Sequence, residues 1–245
     1  MCAFVSRFTL FDVSSLDMNI KPIAYFRGSF PSKFGIPRQS GIIEELCGTI
    51  VFEPEFRDAN ALRGLEAFDF MWIIWEFSAN DASLQWHPTV RPPLLGGNRA
   101  VGVFATRSPF RPNRIGLSSV KILSIEATPE AGMVIHVSGA DLMDGTPIYD
   151  IKPYVAYTDC HPSARSGFVD ENDWTVLNVD FPKELLSRIP DKLSTALMKV
   201  LALDPRPQYQ SDPHKIYGMP FGDFDIRFKV SDAEGVLTVV DVVRR

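Results

Sequence analysis

Through the first 140 residues, short runs rich in β-branched and aromatic side chains alternate with Gly, Pro, Asn and Asp. Ile20–Phe26, Ile42–Phe52 and Phe68–Phe77 are such runs, and Val101–Thr106, Leu117–Ile125 and Met133–Ser138 continue the series. Runs of this length and composition predict strands. Their spacing, with no long helix between them, predicts a barrel or a strongly curved sheet. Asp58–Gly64 reads as one helical turn. The aromatic set Phe68, Phe70, Trp72, Trp75 and Phe77 is expected to fill a barrel core rather than form a stacking platform.

The pattern changes after Tyr154. Tyr157–Asp173 is polar and broken by Pro162 and Gly167, as in a linker. In Lys183–Leu203 the apolar residues Leu185, Leu186, Ile189, Leu193, Leu197, Val200 and Leu201 recur near the helical period. Pro190 is expected to split this helix, with Asp191 capping its second half. Strands follow near Phe224–Val230 and Val236–Val243. The expected organisation is a loose N-terminal extension (1–17), a β domain (18–156), a linker (157–174) and a small α+β C-terminal domain (175–245). The chain holds no internal repeat and no low-complexity tract.

Composition narrows the class. Hydrophobic residues make up 45% and charged residues 22%, which allows a packed core and argues against global disorder. The net charge of −5 argues by itself against a nucleic-acid binder. The distribution argues the other way: no acid lies between Asp81 and Glu126, a stretch holding Arg91, Arg99, Arg107, Arg111, Arg114 and Lys121. A basic segment in an acidic chain can grip a polyanion locally. Cys2, Cys47 and Cys160 form no CxxC pair and point to a reducing compartment. No apolar run approaches the roughly 20 residues of a membrane helix.

Arg91–Val120, RPPLLGGNRAVGVFATRSPFRPNRIGLSSV, interleaves arginines with glycines and prolines. Such loops are stiff and approach closely, and guanidinium forks match phosphate or carboxylate. Gly139–Tyr154, GADLMDGTPIYDIKPY, places Asp141, Asp144 and Asp150 beside Lys152 and Tyr154. These groups could bind ribose hydroxyls or an ammonium, or act as bases. Too few oxygen ligands and no nearby His argue against a metal. Ser32–Gly41, SKFGIPRQSG, reads as a ligand loop or a surface hairpin. There is no P-loop, GxSxG or GxGxxG.

PRQSG, RGLEAFDFMWIIWEF, the arginine segment, ADLMDGTPIYDIKPY, DPRPQY and FDIRF follow one another collinearly from about Ile20 to Phe228. In this the chain resembles the tRNA N6-threonylcarbamoyladenosine methyltransferase family, TrmO, also called TsaA-like or YaeB-like. The resemblance implies a mainly β protein with a single-sheet β-barrel N-terminal domain and a small α+β C-terminal domain. It further implies a homodimer and S-adenosylmethionine as cofactor; a cytoplasmic location without membrane attachment is expected from the cysteine usage and the lack of a signal or an apolar span. The methyl group would go to N6 of threonylcarbamoyladenosine beside the anticodon of threonine tRNA. Carried over by motif, the cofactor contacts are Pro37, Arg38, Gln39, Arg107, Ile115 and the turn Asp141, Leu142, Met143 and Asp144. Ser78 and Ala79 also belong to this set, where a polar pair such as His-Gln is expected in relatives; side-chain contacts would not survive that change.

Methyl transfer requires alignment of donor and acceptor and removal of a proton. Asp144, Asp150 and Tyr154 are the candidates for base or orienter. Lys152 could hold the threonyl carboxylate or a phosphate; Arg91, Arg111 and Arg114 would grip the anticodon-loop backbone; Arg206 and Tyr209 of DPRPQY would position the RNA. Two other readings remain: a non-catalytic RNA-binding module, and a methyltransferase acting on a small metabolite or a protein.

Overall fold

The computed structural model describes residues 19–80, 86–92, 99–171, 176–206, 212 and 214–245. The expected N-terminal extension and Tyr209 lie outside the described residues. In the first half, β1 (Ala24–Arg27), β2 (Cys47–Phe52), β3 (Phe70–Glu76), β6 (Ile115–Thr128), β7 (Gly132–Ser138) and β8 (Pro147–Pro153) pair antiparallel in the order β1-β2-β7-β6-β3-β8. β1 also pairs with β8, at Ala24↔Ile148, and this closes the barrel. The 14-residue β6 joins two neighbours, pairing with β3 through its first half and with β7 through its second. A separate ribbon, β4 (Thr89–Val90) with β5 (Val101–Gly102), stands between β3 and β6 in sequence.

Alternation along β3 shows why this run folds as a strand. Met71, Ile73 and Trp75 point inward and are buried, while Trp72, Ile74 and Glu76 alternate with them. The barrel core therefore takes Trp75 and, at its edge, Phe77 from the aromatic set. Phe68 and Phe70 are exposed and Trp72 is half-buried, which corrects the expectation that all five fill the core. Opposite β3, the register of β8 shifts between Ile74 and Trp75. Tyr149 becomes the extra residue of a bulge, and bulges re-aim side chains next to sites.

In the second half, a sheet of order β10-β11-β12-β9 packs against helices. Its strands are β9 (Asn178–Asp180), β10 (Tyr217–Phe221), β11 (Phe224–Ser231) and β12 (Val236–Arg244), with β9 parallel to β12. The short helix α1 (Ala156–Asp159) follows the barrel, and α2 (Lys183–Leu186) and α3 (Asp191–Ala202) precede β10. Pro190 does break the helical run. Yet Pro190 itself occupies the N-cap, and Asp191 sits in the first turn without a capping bond. Ala196, Leu197, Val200 and Leu201 on one face of α3 join Met219, Phe221, Ile226 and Phe228 in the second core.

The segment between β1 and β2 does not follow the boundary drawn from sequence. Ile42–Leu46 is not strand, and Phe30, Ile43 and Leu46 are buried in the second core although they precede most of the barrel. Full burial of each such side chain contributes about 1.5–3 kcal/mol. Backbone bonds add to this anchoring: Gly222 N–H to Ser29 O at 2.6 Å on one side, Asp144 N–H to Phe30 O at 2.7 Å and Gly41 N–H to Gly139 O at 2.8 Å on the other. The loop 28–46 is thus clamped between the C-terminal sheet and the aspartate turn of the barrel.

Candidate functional site

A cavity of about 520 Å³ opens beside this loop. Its first wall is the loop itself, through Lys33, Ile36, Pro37, Arg38 and Gln39. Gly35 seats that wall: its φ is +87°, and a Cβ there would lie 2.3 Å from Met219 Sδ. The second wall is the end of β3 and the turn after it, Trp75–Asn80. Phe77 N–H bonds Arg114 O at 2.9 Å, and Arg114 reaches back to Asn80 O at 2.9 Å and to Glu76 at 3.3 Å. The third wall is the loop Thr106–Arg111, braced by Arg111, which donates to Thr106 O at 2.8 Å. Arg107 donates to Gln39 Oε1, bridging the first and third walls. Ile115, Gly116, Leu117, Asp141, Met143 and Thr146 complete the lining. Gly116 lies flat against the Trp75 indole, where a Cβ would meet ring atoms at 2.3 Å.

A buried relay supports the acid. Trp75 Nε1–H donates to Ser118 Oγ at 2.9 Å, and the Ser118 hydroxyl donates to Asp141 at 2.6 Å. Burial pushes the Asp141 carboxyl above the ordinary carboxylate range, opposed by the Ser118 bond and by the charge of Arg107. Glu76, the other acid on the cavity, accepts from Tyr149 at 2.5 Å and faces Arg114. That neighbourhood, with burial first, pushes the Tyr149 phenol up to about 12.

The cavity gathers most of the cofactor contacts carried over from the family: Pro37, Arg38, Gln39, Ser78, Ala79, Arg107, Ile115, Asp141 and Met143. Two fall elsewhere. Leu142 is 1% exposed and packs in the barrel core, and Asp144 turns to the Gly28 N–H at 3.1 Å and to Arg27 at 3.7 Å. Of the three candidate bases, none lines the cavity. Asp144 is a turn anchor. Asp150, opposite Ile74, pairs with Lys152 at 2.9 Å. Tyr154 packs its ring against Trp72 and Phe70. Lys152 is correspondingly engaged with Asp150, away from the cavity.

The arginines proposed for RNA divide. Arg91 is exposed. Arg111 and Arg114 turn inward and brace the cavity walls. The Arg206 side chain is 8% exposed, held by Asp204 at 2.8 Å and Asp232 at 2.6 Å, so it organises its own segment instead of offering a free guanidinium. Asp204 takes the left-handed φ of +51° just after α3, a position usually given to Gly or Asn; its bond to Arg206 accounts for a carboxylate there. Lys33 belongs to the Ser32–Gly41 segment read as a ligand loop or a surface hairpin, whereas sequence reasoning missed Glu76, Asn80 and Ser118. One signal was present for Glu76, a lone charge inside an aromatic strand.

The cavity suits a charged nucleoside. Ile36, Trp75, Phe77, Ile115 and Leu117 give apolar faces; Lys33, Arg38 and Arg107 meet a carboxylate; Asp141 meets an ammonium or a hydroxyl. Below the surface, Asn80 Nδ2 is a buried donor with no partner among the described residues. Fold and cavity define a protein whose candidate ligand cavity lies on the loops of a β barrel, not in the crevice of a parallel sheet. Comparison with known proteins gives the family. Residues 25–160 match the tRNA-methyltransferase O N-terminal domain, and residues 175–245 match the TrmO C-terminal domain. The tRNA (adenine(37)-N6)-methyltransferase of Escherichia coli (strain K12) is 36% identical over 219 residues, covering 86% of this chain and 92% of that protein. The enzyme of the same name from Homo sapiens is 38% identical over 154 residues, 62% of this chain and 33% of that one. A crystal structure of TrmO from Pseudomonas aeruginosa superposes with a TM-score of 0.72 at 33% identity, covering 92% of this chain and 98% of that chain. The chain belongs to the TrmO family of S-adenosylmethionine-dependent tRNA methyltransferases.

Proposed function

We propose that this protein methylates N6 of N6-threonylcarbamoyladenosine beside the anticodon of threonine tRNA, with S-adenosylmethionine held in the 520 Å³ cavity. The carrying observation is the convergence of four sequence-distant segments on that cavity: 33–39, 75–80, 106–117 and 141–146. The names of the E. coli and human relatives, adenine-37 N6 methyltransferases, support the choice of nitrogen. When bound, the cofactor supplies an electrophilic methyl group on a sulfonium, with a good leaving group.

The chain supplies the rest. Arg107, tied to Gln39, and Arg38 hold the cofactor's carboxylate, and the apolar faces of Ile115, Leu117 and Phe77 receive its purine. The acceptor nitrogen, between a purine and a carbonyl, is a poor nucleophile until it loses its proton. Asp141 is the acid assigned to take it: Glu76 is already engaged by Tyr149 and Arg114, whereas burial pushes the Asp141 carboxyl above its ordinary range. In this reading the protein works as a cytoplasmic homodimer. It divides into a barrel unit (18–156) and a C-terminal unit (175–245), joined by the linker 157–174.

Nucleoside mass spectrometry of threonine tRNA from a deletion strain tests the proposal. Loss of the methylated nucleoside, restored by the wild-type gene and not by Asp141→Asn, is the expected result. An unchanged nucleoside profile would refute it. A thermal shift with S-adenosylmethionine that vanishes in Arg107→Ala separates the enzyme from a module that only binds RNA.

A further inference from the structure

The aromatic pair Trp86 and Phe104 lies outside both hydrophobic cores. Trp86 is 48% exposed and Phe104 73% exposed, yet their rings stack on each other, with centroids 6.5 Å apart and planes 26° from parallel. The ribbon explains how they meet. Trp86 enters β4 and Phe104 leaves β5, the two strands pair at Thr89↔Gly102, and Val103 N–H bonds Pro88 O at 2.9 Å. The turn Val103–Ala105 that carries Phe104 runs directly into Thr106 and Arg107 of the cavity wall. Two large apolar rings are therefore held in register at the surface, next to the site, without being covered.

We propose that this pair is a stacking platform for a single-stranded base of the substrate tRNA, next to the one being methylated. A base laid on the outer face of the stack lengthens it by one ring, and every base has a face to offer. The surroundings favour a polyanion: the residues from 82 to 125 contain no acid, and exposed Arg91 directly follows β4. Methylation of a base in an anticodon loop requires its neighbours to be splayed and held, which RNA-binding proteins commonly do with aromatic side chains. The inference rests on tRNA as the substrate and deepens the reading of that site.

Three variants test it: Trp86→Ala, Phe104→Ala and Trp86→Phe. The probe is an unmodified anticodon stem–loop RNA, so the binding measurement does not depend on the modified nucleoside being the true substrate. Each alanine variant should weaken RNA binding about ten-fold, while Trp86→Phe, which keeps an aromatic face, retains most of it. S-adenosylmethionine affinity, melting temperature and molar mass by light scattering should stay at wild-type values. Wild-type tryptophan fluorescence should be quenched by the RNA, and Trp86→Ala should lose that part of the quench. Unchanged RNA affinity in both alanine variants overturns the proposal. So does a variant that loses cofactor affinity in step with RNA affinity, or one whose molar mass halves, since the pair would then serve the cavity or a dimer contact. If the wild type binds the stem–loop through this pair but leaves threonylcarbamoyladenosine unmethylated in cells, the substrate assignment fails and the platform stands.

Discussion

Ser118→Ala removes one hydroxyl from the centre of the relay beneath the cavity. Ser118 is 1% exposed and both accepts from Trp75 and donates to Asp141. In the variant the buried indole N–H has no partner, a desolvation cost of about 1–3 kcal/mol. Asp141 also loses a hydrogen bond to its charged form, partly replaced by solvent on the cavity side. The sum is about 2–3 kcal/mol, roughly 5–10 °C in melting temperature for a chain of this size. A second effect follows from charge. The Ser118 bond restrains the upward shift that burial imposes on Asp141, so its removal raises that carboxyl further. The native state then keeps its proton at pH values where the unfolded chain has released it. Stability from this group accordingly declines as pH rises from the ordinary carboxylate value through the native one, and the decline reaches higher pH in the variant. The acid limb of the activity profile should move the same way, because the deprotonated form accepts the proton. Chemical denaturation and a pH–rate profile measure both effects. Trp75→Phe should lose less stability than Ser118→Ala, and the double variant less than the sum. A loss below about 0.5 kcal/mol together with an unmoved acid limb would refute the relay.

Three further outcomes are expected. Gly35→Ala should cost about 1–3 kcal/mol and lower cofactor affinity, because the left-handed backbone and the contact with Met219 leave no room for a methyl group beneath the cavity wall; denaturation and calorimetry report both. Arg206→Ala should destabilise by about 1–3 kcal/mol, discounted for the half-exposed Asp232, and the loss should shrink at low pH as Asp232, whose carboxyl Arg206 holds below the usual range, takes up its proton; a loss that does not vary with pH would contradict the ion-pair account. Tyr149→Phe should flatten the fall in stability between about pH 10 and about pH 12, because the native phenol retains its proton through that window and the unfolded one does not; titration of absorbance at the phenolate band checks the wild-type value.

Much of the first half was legible because its strands alternate cleanly, and collinear motifs carried the family. What escaped depended on partners distant in sequence. β8 is missing from the strands expected from sequence because Asp144-Gly145 precedes it and Pro147 and Pro153 bound it, and only its pairing with β1 and β3 makes it a strand. β10 was hidden by Gly218 and Pro220. The absence of acid from the arginine stretch said nothing about partners outside it: Arg114 meets Glu76 and Arg99 meets Glu171. Arg206 looked free because Asp232 lies in another strand turn. Asp141, not Asp144, faces the cavity because of where one tight turn directs successive side chains, which spacing alone does not decide.

A cut placed between the two matched regions, after residue 160, would give a fragment with every barrel strand intact. It would nonetheless strip the cover from Phe30, Ile43 and Leu46 and remove Met219 from beneath Gly35. The ring of strands could close while one side of the ligand cleft collapsed. Loss of the carboxy-terminal half should therefore show as lost cofactor retention in a fragment whose barrel strands still pair.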